Sequence, residues 1–384
     1  MEMNISDDEG EIDDLSAKGA SIYSNPNITS FQPSQKFRFR SLIAIGNPIV
    51  DITAEIEEDI INKYNLKLGG KVFANEENIG LFEELEKNKN VKYIPGGAIQ
   101  NTLRIISQCI NMESKFSNFF KITMLGAIGN DTYREKIVNG FSLSGVNYIL
   151  ETIPDAQTSR CAVCISKKMG TLLADIKASN KISEKFIKEH REEIYKNDAL
   201  LIEGFFIKER FEIIKNLCYK FKIKKKIVIL TLSSVDTVKN NYDKFIDLAK
   251  CSDLIVGNTE EFEELLAEKG LKEKDLFIKL SQRLVNKSRL FIVTNGKRGV
   301  IVAKYDYKRE NMDFILKSFP SRIKDEDIVD LNGAGDAFLG GFLSQYMLGK
   351  SFEACCKAGN DVAGVVIKNI GCNFPKNVKI KFRD

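Results

Sequence analysis

The chain has 384 residues, with 57 Lys or Arg against 53 Asp or Glu, so its many charges nearly cancel to +4. That balance excludes a protein that coats polyanions, and no nucleic-acid partner is expected. Hydrophobic residues at 43% and aromatics at 9% supply a core for one big domain, or a big domain with a smaller appendage, and exclude a wholly disordered chain.

Residues 1–20 hold seven acids (Glu2, Asp7, Asp8, Glu9, Glu11, Asp13, Asp14) against Lys18 alone. Residues 1–39 mix acids, Ser, Asn, Gln and Pro without apolar periodicity, which predicts a disordered leader ahead of a domain spanning 40–384. The acidic start is the opposite of a secretory leader, and no apolar run approaches the ~18 residues of a membrane helix, so a cytoplasmic protein with no membrane partner is expected. From Ser41 onward, short β-rich runs at 42–46, 122–128, 199–204, 227–232, 253–257 and 290–294 alternate with helical patterns. The helices are expected at 76–87, 99–110, 131–142, 208–221, 260–268, 335–348 and 351–368. Uniformly apolar strands between helices predict a doubly wound α/β domain whose mostly parallel sheet is covered on both faces. Some segments break this rhythm. ITAEI at 52–56, KVFA after Gly69-Gly70, CAVCIS at 161–166 and TLLAD at 171–175 predict a small projecting sheet, a natural lid, with strands from about 52–75 and 150–176.

Eight cysteines, including adjacent Cys355 and Cys356, show no framework spacing and suit a reducing compartment. Cys161 and Cys164 form a CxxC, but the two fall on opposite sides of a strand, which argues against a metal or redox pair. His190, the single histidine, sits in the charged run KEHREEIYK; histidine-dependent triads and HExxH zinc sites are excluded. The basic run KIKKK at 222–226 reads as a solvated helix end.

The most informative segment is DLNGAGDAFLGGFLSQY, 330–346. Gly333, Ala334 and Gly335 leave backbone N–H groups unobstructed at a helix N-terminus, a site for an anionic ligand. Asp336 would repel phosphate there, so it is read as a base that takes a proton from an attacking hydroxyl beside a transferring phosphoryl. The alternative is that Asp336 caps the helix while the glycines pack tightly. A Rossmann fingerprint fails because Phe338 stands where its last Gly belongs, and a Walker A loop ending at Gly349-Lys350-Ser351 fails at Ser344.

Four further segments carry polar groups to strand ends. In AIGNPIVDI, 44–52, a strand delivers Asn47 and Asp51, and a carboxylate accepting two hydrogen bonds suits adjacent sugar hydroxyls; a turn or cap is the alternative. In IPGGAIQNTLRI, 94–105, Gly96-Gly97 lets a flat ligand approach the backbone, and Asn101 offers donor and acceptor together. In LIVGNTEEFEELL, Asn258 and Glu261 suit magnesium held largely through water, or else a simple N-cap. In IVTNGKRGV, Asn295 and Gly296 could flank a nucleotide phosphate, and a hairpin turn explains them equally well.

In this order the segments resemble the ribokinase-like (PfkB) family of sugar and nucleoside kinases, most closely its adenosine kinase branch, over about 41–384. The resemblance rests on GNPIVDI at 46–52, GGAIQN at 96–101, Asn258 to Glu261, the Asn-Gly-Ala-Gly-Asp run 332–336 and GCNFP at 371–375. It implies a three-layer α/β/α domain with a β-sheet lid. The implied reaction moves the ATP γ-phosphoryl to the 5′-hydroxyl of adenosine, a step of purine salvage, with Mg2+ required and K+ as a candidate further ion. By resemblance, Asp336 is the base and Gly333, Ala334 and Gly335 the anion hole. Asn47, Asp51, Gly96, Gly97, Asn101, Leu172 and Phe205 take the acceptor. Asn258, Thr294, Asn295, Gly296, Asn332 and Asn360 take the nucleotide, and Asn258 with Glu261 governs the metal through water. A monomer is the expected form. The chain departs from the family at Leu331, where Thr is usual, at Gly170, where Arg is common, and at Lys71, where Gln is common. Those departures keep two other readings in view: a kinase of another nucleoside or of a sugar such as ribose or fructose, and a nucleoside-binding protein with vestigial catalysis.

Overall fold

The structure, a computed structural model, describes residues 21–23, 37–113, 117–167, 169–284, 287–375 and 378–382. Its strands in chain order are β1 (Ser21–Tyr23), β2 (Ser41–Ile45), β3 (Ile49–Glu55), β4 (Lys71–Phe73), β5 (Lys92–Gly96), β6 (Lys121–Gly129), β7 (Asn147–Ile153), β8 (Arg160–Ser166), β9 (Met169–Asp175), β10 (Ala199–Ile202), β11 (Ile227–Thr231), β12 (Leu254–Asn258), β13 (Arg289–Thr294), β14 (Val300–Asp306) and β15 (Asn311–Ser318). The helices are α1 (Glu58–Lys63), α2 (Leu81–Glu86), α3 (Ala98–Met112), α4 (Thr132–Ser144), α5 (Glu184–Glu189), α6 (Arg191–Lys196), α7 (Ile207–Ile223), α8 (Val235–Asn240), α9 (Tyr242–Cys251), α10 (Thr259–Leu266), α11 (Glu273–Arg283), α12 (Ala334–Met347) and α13 (Phe352–Val366).

Ten strands form the main sheet in the order β1-β15-β14-β13-β12-β11-β10-β2-β6-β7. From β13 to β7 every neighbouring pair is parallel. Alternate residues of each strand feed opposite cores. Ile43 and Ile45 of β2 join helices α5 to α11 on one side, while Leu42 and Ala44 join α3, α4, α12 and α13 on the other. This is the three-layer α/β/α architecture that the uninterrupted apolar runs predict. The chain runs from β2 out through β6 to β7, then returns to β10 and runs the other way through β11, β12 and β13. The order therefore reverses between β2 and β10, and beyond the carboxyl ends of those strands lies the place where an open α/β sheet forms its ligand crevice.

A second sheet, β4-β9-β8-β3-β5, leaves the main domain directly from β2 through β3. One face carries Ile52, Ala54, Ala162, Cys164 and Leu173 and packs on α1 and α2 through Ile61, Leu81, Phe82 and Leu85. The other face carries Ile49, Cys161, Val163 and Ile165, with Leu172 and Ala174 beside them. Cys161 and Cys164 thus lie on opposite faces, and all eight cysteines are free thiols. The second sheet also takes in Lys92–Gly96, which the expected ranges leave out, while residues 150–153 of the expected stretch belong to the main sheet as part of β7.

Several elements depart from expectation. The helix expected at 76–87 starts only at Leu81, because the Asn75 and Asn78 side chains accept backbone N–H bonds and hold a turn ahead of it. The antiparallel pair β14 and β15 widens the sheet beyond β13. Within the expected leader, Ser21–Tyr23 pairs antiparallel with β15, so that span is not wholly without regular structure; residues 1–20 and 24–36 lie outside the described residues. The basic run is partly engaged: Lys222 pairs with Asp253, and Lys226 donates to Tyr195 O and Asn197 O. Among the described residues, no helix is long and apolar enough to cross a membrane.

Helix α12 locks the site to the core through Phe342, fully buried on the sheet. Phe342→Ala is expected to lower unfolding free energy by about 3–5 kcal/mol in urea denaturation; a loss under about 1 kcal/mol would show that α12 is not anchored there.

Candidate active site

The crevice at the strand-order reversal gathers residues from four elements. Gly333, in the left-handed region at φ +76, starts α12, and a Cβ there would lie 2.5 Å from that of Cys372. Nothing lies within 4 Å of where a Cβ on Gly335 would stand, so the first turn of α12 opens onto free space. Of the expected anion-hole amides, the Ala334 N–H is taken by Leu331 O at 3.3 Å, whereas among the described residues the N–H groups of Gly335 and of Asp336 beside it find no acceptor. The turn ahead of them is held by Asp330, whose carboxylate is buried and accepts from Asn332 N–H and Asn332 Nδ2 at 2.9 and 2.8 Å and from Gly371 N–H at 2.9 Å.

Asp336 is hemmed in by protein yet half-buried at the crevice. Its carboxylate accepts a 3.0 Å hydrogen bond from Asn101 Nδ2, from the first turn of α3. Burial pushes its pKa up to about 6, opposed by the Asn101 hydrogen bond and by the charge of Lys71. Among the described residues no backbone N–H of α12 donates to its carboxylate, whose partner is Asn101, so it makes no cap bond to its own helix.

Asp51 stands on β3 opposite Ile94, on the crevice-facing side of the second sheet. Gly96 is required beside it: a Cβ at 96 would fall 2.1 Å from the Asp51 carboxyl. Gly97 has φ +91, and a Cβ on it would fall 2.5 Å from Asn47 O. Burial pushes Asp51 up to about 7, reinforced by the nearby charge of Asp336 and opposed by Arg104. Arg104 donates to Pro95 O at 2.6 Å. The Oδ1 atoms of Asn47 and Asn101 are buried without a hydrogen-bond partner, an arrangement that a hydroxylated ligand would satisfy.

Glu203, Arg104 and Asp330 escape a reading based on local pattern. Glu203 ends the apolar run ALLIEG, and that lone acid after a buried strand was the available signal. Only 1% exposed, it accepts the Asn47 N–H at 2.6 Å and is also held by the Ile99 N–H at the start of α3. It thereby ties β10 to the two elements that carry Asp51 and Asn101. Burial pushes its pKa up to about 8, with the Asn47 N–H opposing and Asp336 reinforcing.

The remaining expected residues fall elsewhere. Leu172 lies half-buried on the crevice-facing side of the second sheet, and Phe205 lies half-buried in the turn after β10. The side chain of Asn332 is taken by Asp330 and abuts the second sheet, where a Cβ on Gly170 would fall 1.7 Å from its Nδ2. Thr294 ends β13, paired with Val300, and Asn295 and Gly296 open the hairpin turn to β14, so the hairpin reading of that segment holds. Thr294 Oγ1 donates to Gly257 O beside Asn258, and Asn360 Nδ2 lies 3.4 Å from Ser318 Oγ. A Cβ on Gly299 would lie 2.2 Å from Ser318 O, so this turn, Ser318 and Asn360 form a second cluster along the main sheet. Asn360 also lines a surface groove with Arg322, Lys357 and Lys368.

At the start of α10, Asn258 and Glu261 form a complete capping box: Asn258 Oδ1 accepts the Glu261 N–H at 2.9 Å, and Glu261 Oε2 accepts the Asn258 N–H at 3.0 Å. Asn258 Nδ2 also donates to Glu261 Oε1 at 2.9 Å, which occupies both carboxylate oxygens. The N-cap alternative therefore describes this pair. Among the described residues, no group of three or more His, Cys, Asp or Glu gathers as a metal site.

The arrangement pairs a raised-pKa carboxylate with open helix amides at a crevice. The sequence pattern of the pfkB family carbohydrate kinase matches residues 62–379. The chain belongs to this family. Among curated pfkB relatives, adenosine kinase 2 of Arabidopsis thaliana is 30% identical over 347 residues, 87% of this chain and 96% of that protein. The Anopheles gambiae adenosine kinase in complex with P1,P4-di(adenosine-5) tetraphosphate superposes with a TM-score of 0.74 at 25% identity, covering 86% of this chain and 96% of that one. The Schistosoma mansoni adenosine kinase in complex with 2-fluoroadenosine gives 0.76 at 25% identity, covering 88% and 98%. The pfkB fold that the motifs imply is thus present.

A buried acid with a raised pKa favours the folded state most while protonated. For Glu203 that stabilisation is complete below its ordinary 4.5 and is lost as pH rises to about 8. Glu203→Gln removes this loss, so the melting-temperature difference between variant and wild type is expected to shift toward the variant between those pH values. A difference that stays constant with pH would contradict it.

Proposed function

We propose that the chain is an ATP-dependent adenosine kinase that makes AMP and ADP and serves purine salvage. The observation that carries this reading is Asp336, held by Asn101 at the open first turn of α12 and close enough to Asp51 to raise its pKa.

In the proposed reaction the adenosine ribose lies between Asp51 and Asn101, its hydroxyls meeting the Asp51 carboxylate and the unpartnered Oδ1 atoms of Asn47 and Asn101. The 5′-hydroxyl then faces Asp336, which takes its proton as the oxygen forms a bond to the γ-phosphorus. The bond from that phosphorus to the β,γ-bridging oxygen breaks, and ADP leaves with the electron pair. Charge on the moving phosphoryl falls on the Gly335 and Asp336 amides, aided by the helix dipole. A loose transition state asks mainly for alignment and neutralisation, so a weak carboxylate base suffices. The second sheet acts as the lid, and its apolar face of Ile49, Cys161, Val163 and Leu172 suits a nucleobase better than a bare sugar. The Thr294–Gly296 turn and Asn360 take the ATP. Asn258 and Glu261, whose own oxygens are engaged in their capping box, would hold Mg2+ only through water, and the ion would supply charge neutralisation for the phosphates.

A second reading, phosphorylation of another nucleoside or a free sugar, draws on Lys71, a charged group in register with Leu172 on the lid, and on Gly170.

Purified protein with Mg2+, ATP and adenosine is expected to yield AMP and ADP. Asp336→Asn should lower kcat by about 10²–10⁴-fold while adenosine still binds. Because the base must be ionised, the wild-type rate should fall as pH drops through about 6. Undiminished turnover by Asp336→Asn would end this reading, and a sugar preferred over adenosine in an acceptor panel would replace the acceptor.

A further inference from the structure

The crevice is rich in carboxylates and poor in cations. Asp51, Glu203, Asp330 and Asp336 surround it; burial raises the pKa values of Asp51, Glu203 and Asp336, and the charge of Asp336 adds to the rise at Asp51 and Glu203. Arg104 is committed to Pro95 O and to the field of Asp51. A triphosphate tail brings still more negative charge into this space, so the reaction needs a protein cation with a free head group facing it.

Strand register identifies one. Lys71 pairs with Leu172, Leu172 with Val163, and Val163 with Thr53, two residues along β3 from Asp51. Paired residues share a face of a sheet, as do positions i and i+2 of one strand, so Lys71 and Asp51 share the crevice-facing side. Gly170, on the same side and two residues before Leu172, lies against Asn332, so this end of the lid meets the loop that starts α12. The backbone that presents Lys71 is pinned: Gly70 N–H donates to Lys67 O, and Gly70 O accepts the Leu172 N–H at 2.8 Å. The Lys71 side chain is exposed, and its ammonium makes no hydrogen bond or ion pair to the described residues. Its charge acts on both Asp336 and Glu261. The register thus sets Lys71 on the side of the lid that carries Asp51, with β9 and β8 between their strands, beside the end that meets the α12 loop at Asn332.

We propose that Lys71 is the lid's phosphate-binding cation, its ammonium contacting the transferring phosphoryl from the side opposite the α12 amides. This inference rests on the phosphotransfer reading above and assigns that site a specific charge donor. A flexible ammonium suits the role because it follows a migrating charge without bidentate geometry. Gly170, one row away on β9, leaves the lid free to come close to Asn332, where a larger side chain would collide.

The test compares wild type, Lys71→Met and Lys71→Arg by steady-state kinetics with adenosine and ATP, and by calorimetric binding of an unhydrolysable ATP analogue. Lys71→Met is expected to lower kcat by about 10²-fold, the scale for one preorganised donor. The adenosine KM should change less than about threefold, and analogue affinity should fall by about tenfold, one charge-assisted contact. Lys71→Arg should recover most of both, and the melting temperature should stay unchanged because the side chain is exposed. An unaltered kcat and analogue affinity in Lys71→Met would overturn the proposal. So would a raised adenosine KM with kcat kept, which would make Lys71 an acceptor contact. If wild type itself makes no AMP, the functional reading fails separately, and the analogue arm still decides Lys71.

Discussion

The structure depends on a conflict of charge held in place by burial. A carboxylate, Asp336, stands in the first turn of a helix whose open amides favour an anion, and Asp51 and Glu203 stand close enough for each to feel its charge. Burial pushes each of the three upward in pKa, and the charge of Asp336 adds to the rise at Asp51 and Glu203. What fixes them is a set of long-range ties: Asn101 to Asp336, the Asn47 N–H to Glu203, and the Gly371 N–H to Asp330. Each tie joins segments far apart in the chain, so the site exists only when the main fold is complete.

Topology explains why the site is where it is. Reversal of strand order between β2 and β10 leaves a gap at their carboxyl ends. Asn47 follows β2, Glu203 follows β10, and β3 leaves the same spot to begin the second sheet. One departure point thus supplies both the crevice floor and its cover. Gly96 and Gly97 are needed because the carboxyl of Asp51 and the carbonyl of Asn47 occupy the space their side chains would take.

Much of this was legible from residues alone, for identifiable reasons. Parallel strands buried on both faces leave unbroken apolar runs, and Asp336 stood out as an acid behind glycines at a helix start. The β14–β15 pair was not legible because its turn, Tyr307 to Glu310, contains neither Gly nor Pro; Glu310 itself adopts φ +50. The charged run KEHREEIYK reads as a solvated helix face, and α5 and α6 meet there, each burying a single residue, Ile187 or Ile194. At Asn258 and Glu261, local pattern left cap and metal element both open, and the capping box describes the pair. Glu203 and Lys71 owe their positions to contacts and register that no local pattern encodes.

The central claim is that Asp336 and the α12 amides flank the point where phosphoryl moves. A crystal structure with adenosine and an unhydrolysable ATP analogue tests it most directly. The account predicts the adenosine 5′-oxygen within hydrogen-bond distance of the Asp336 carboxylate, with the γ-phosphate against the Gly335 and Asp336 amides. Adenosine bound with its 5′-oxygen remote from Asp336, or a γ-phosphate held elsewhere, would contradict it.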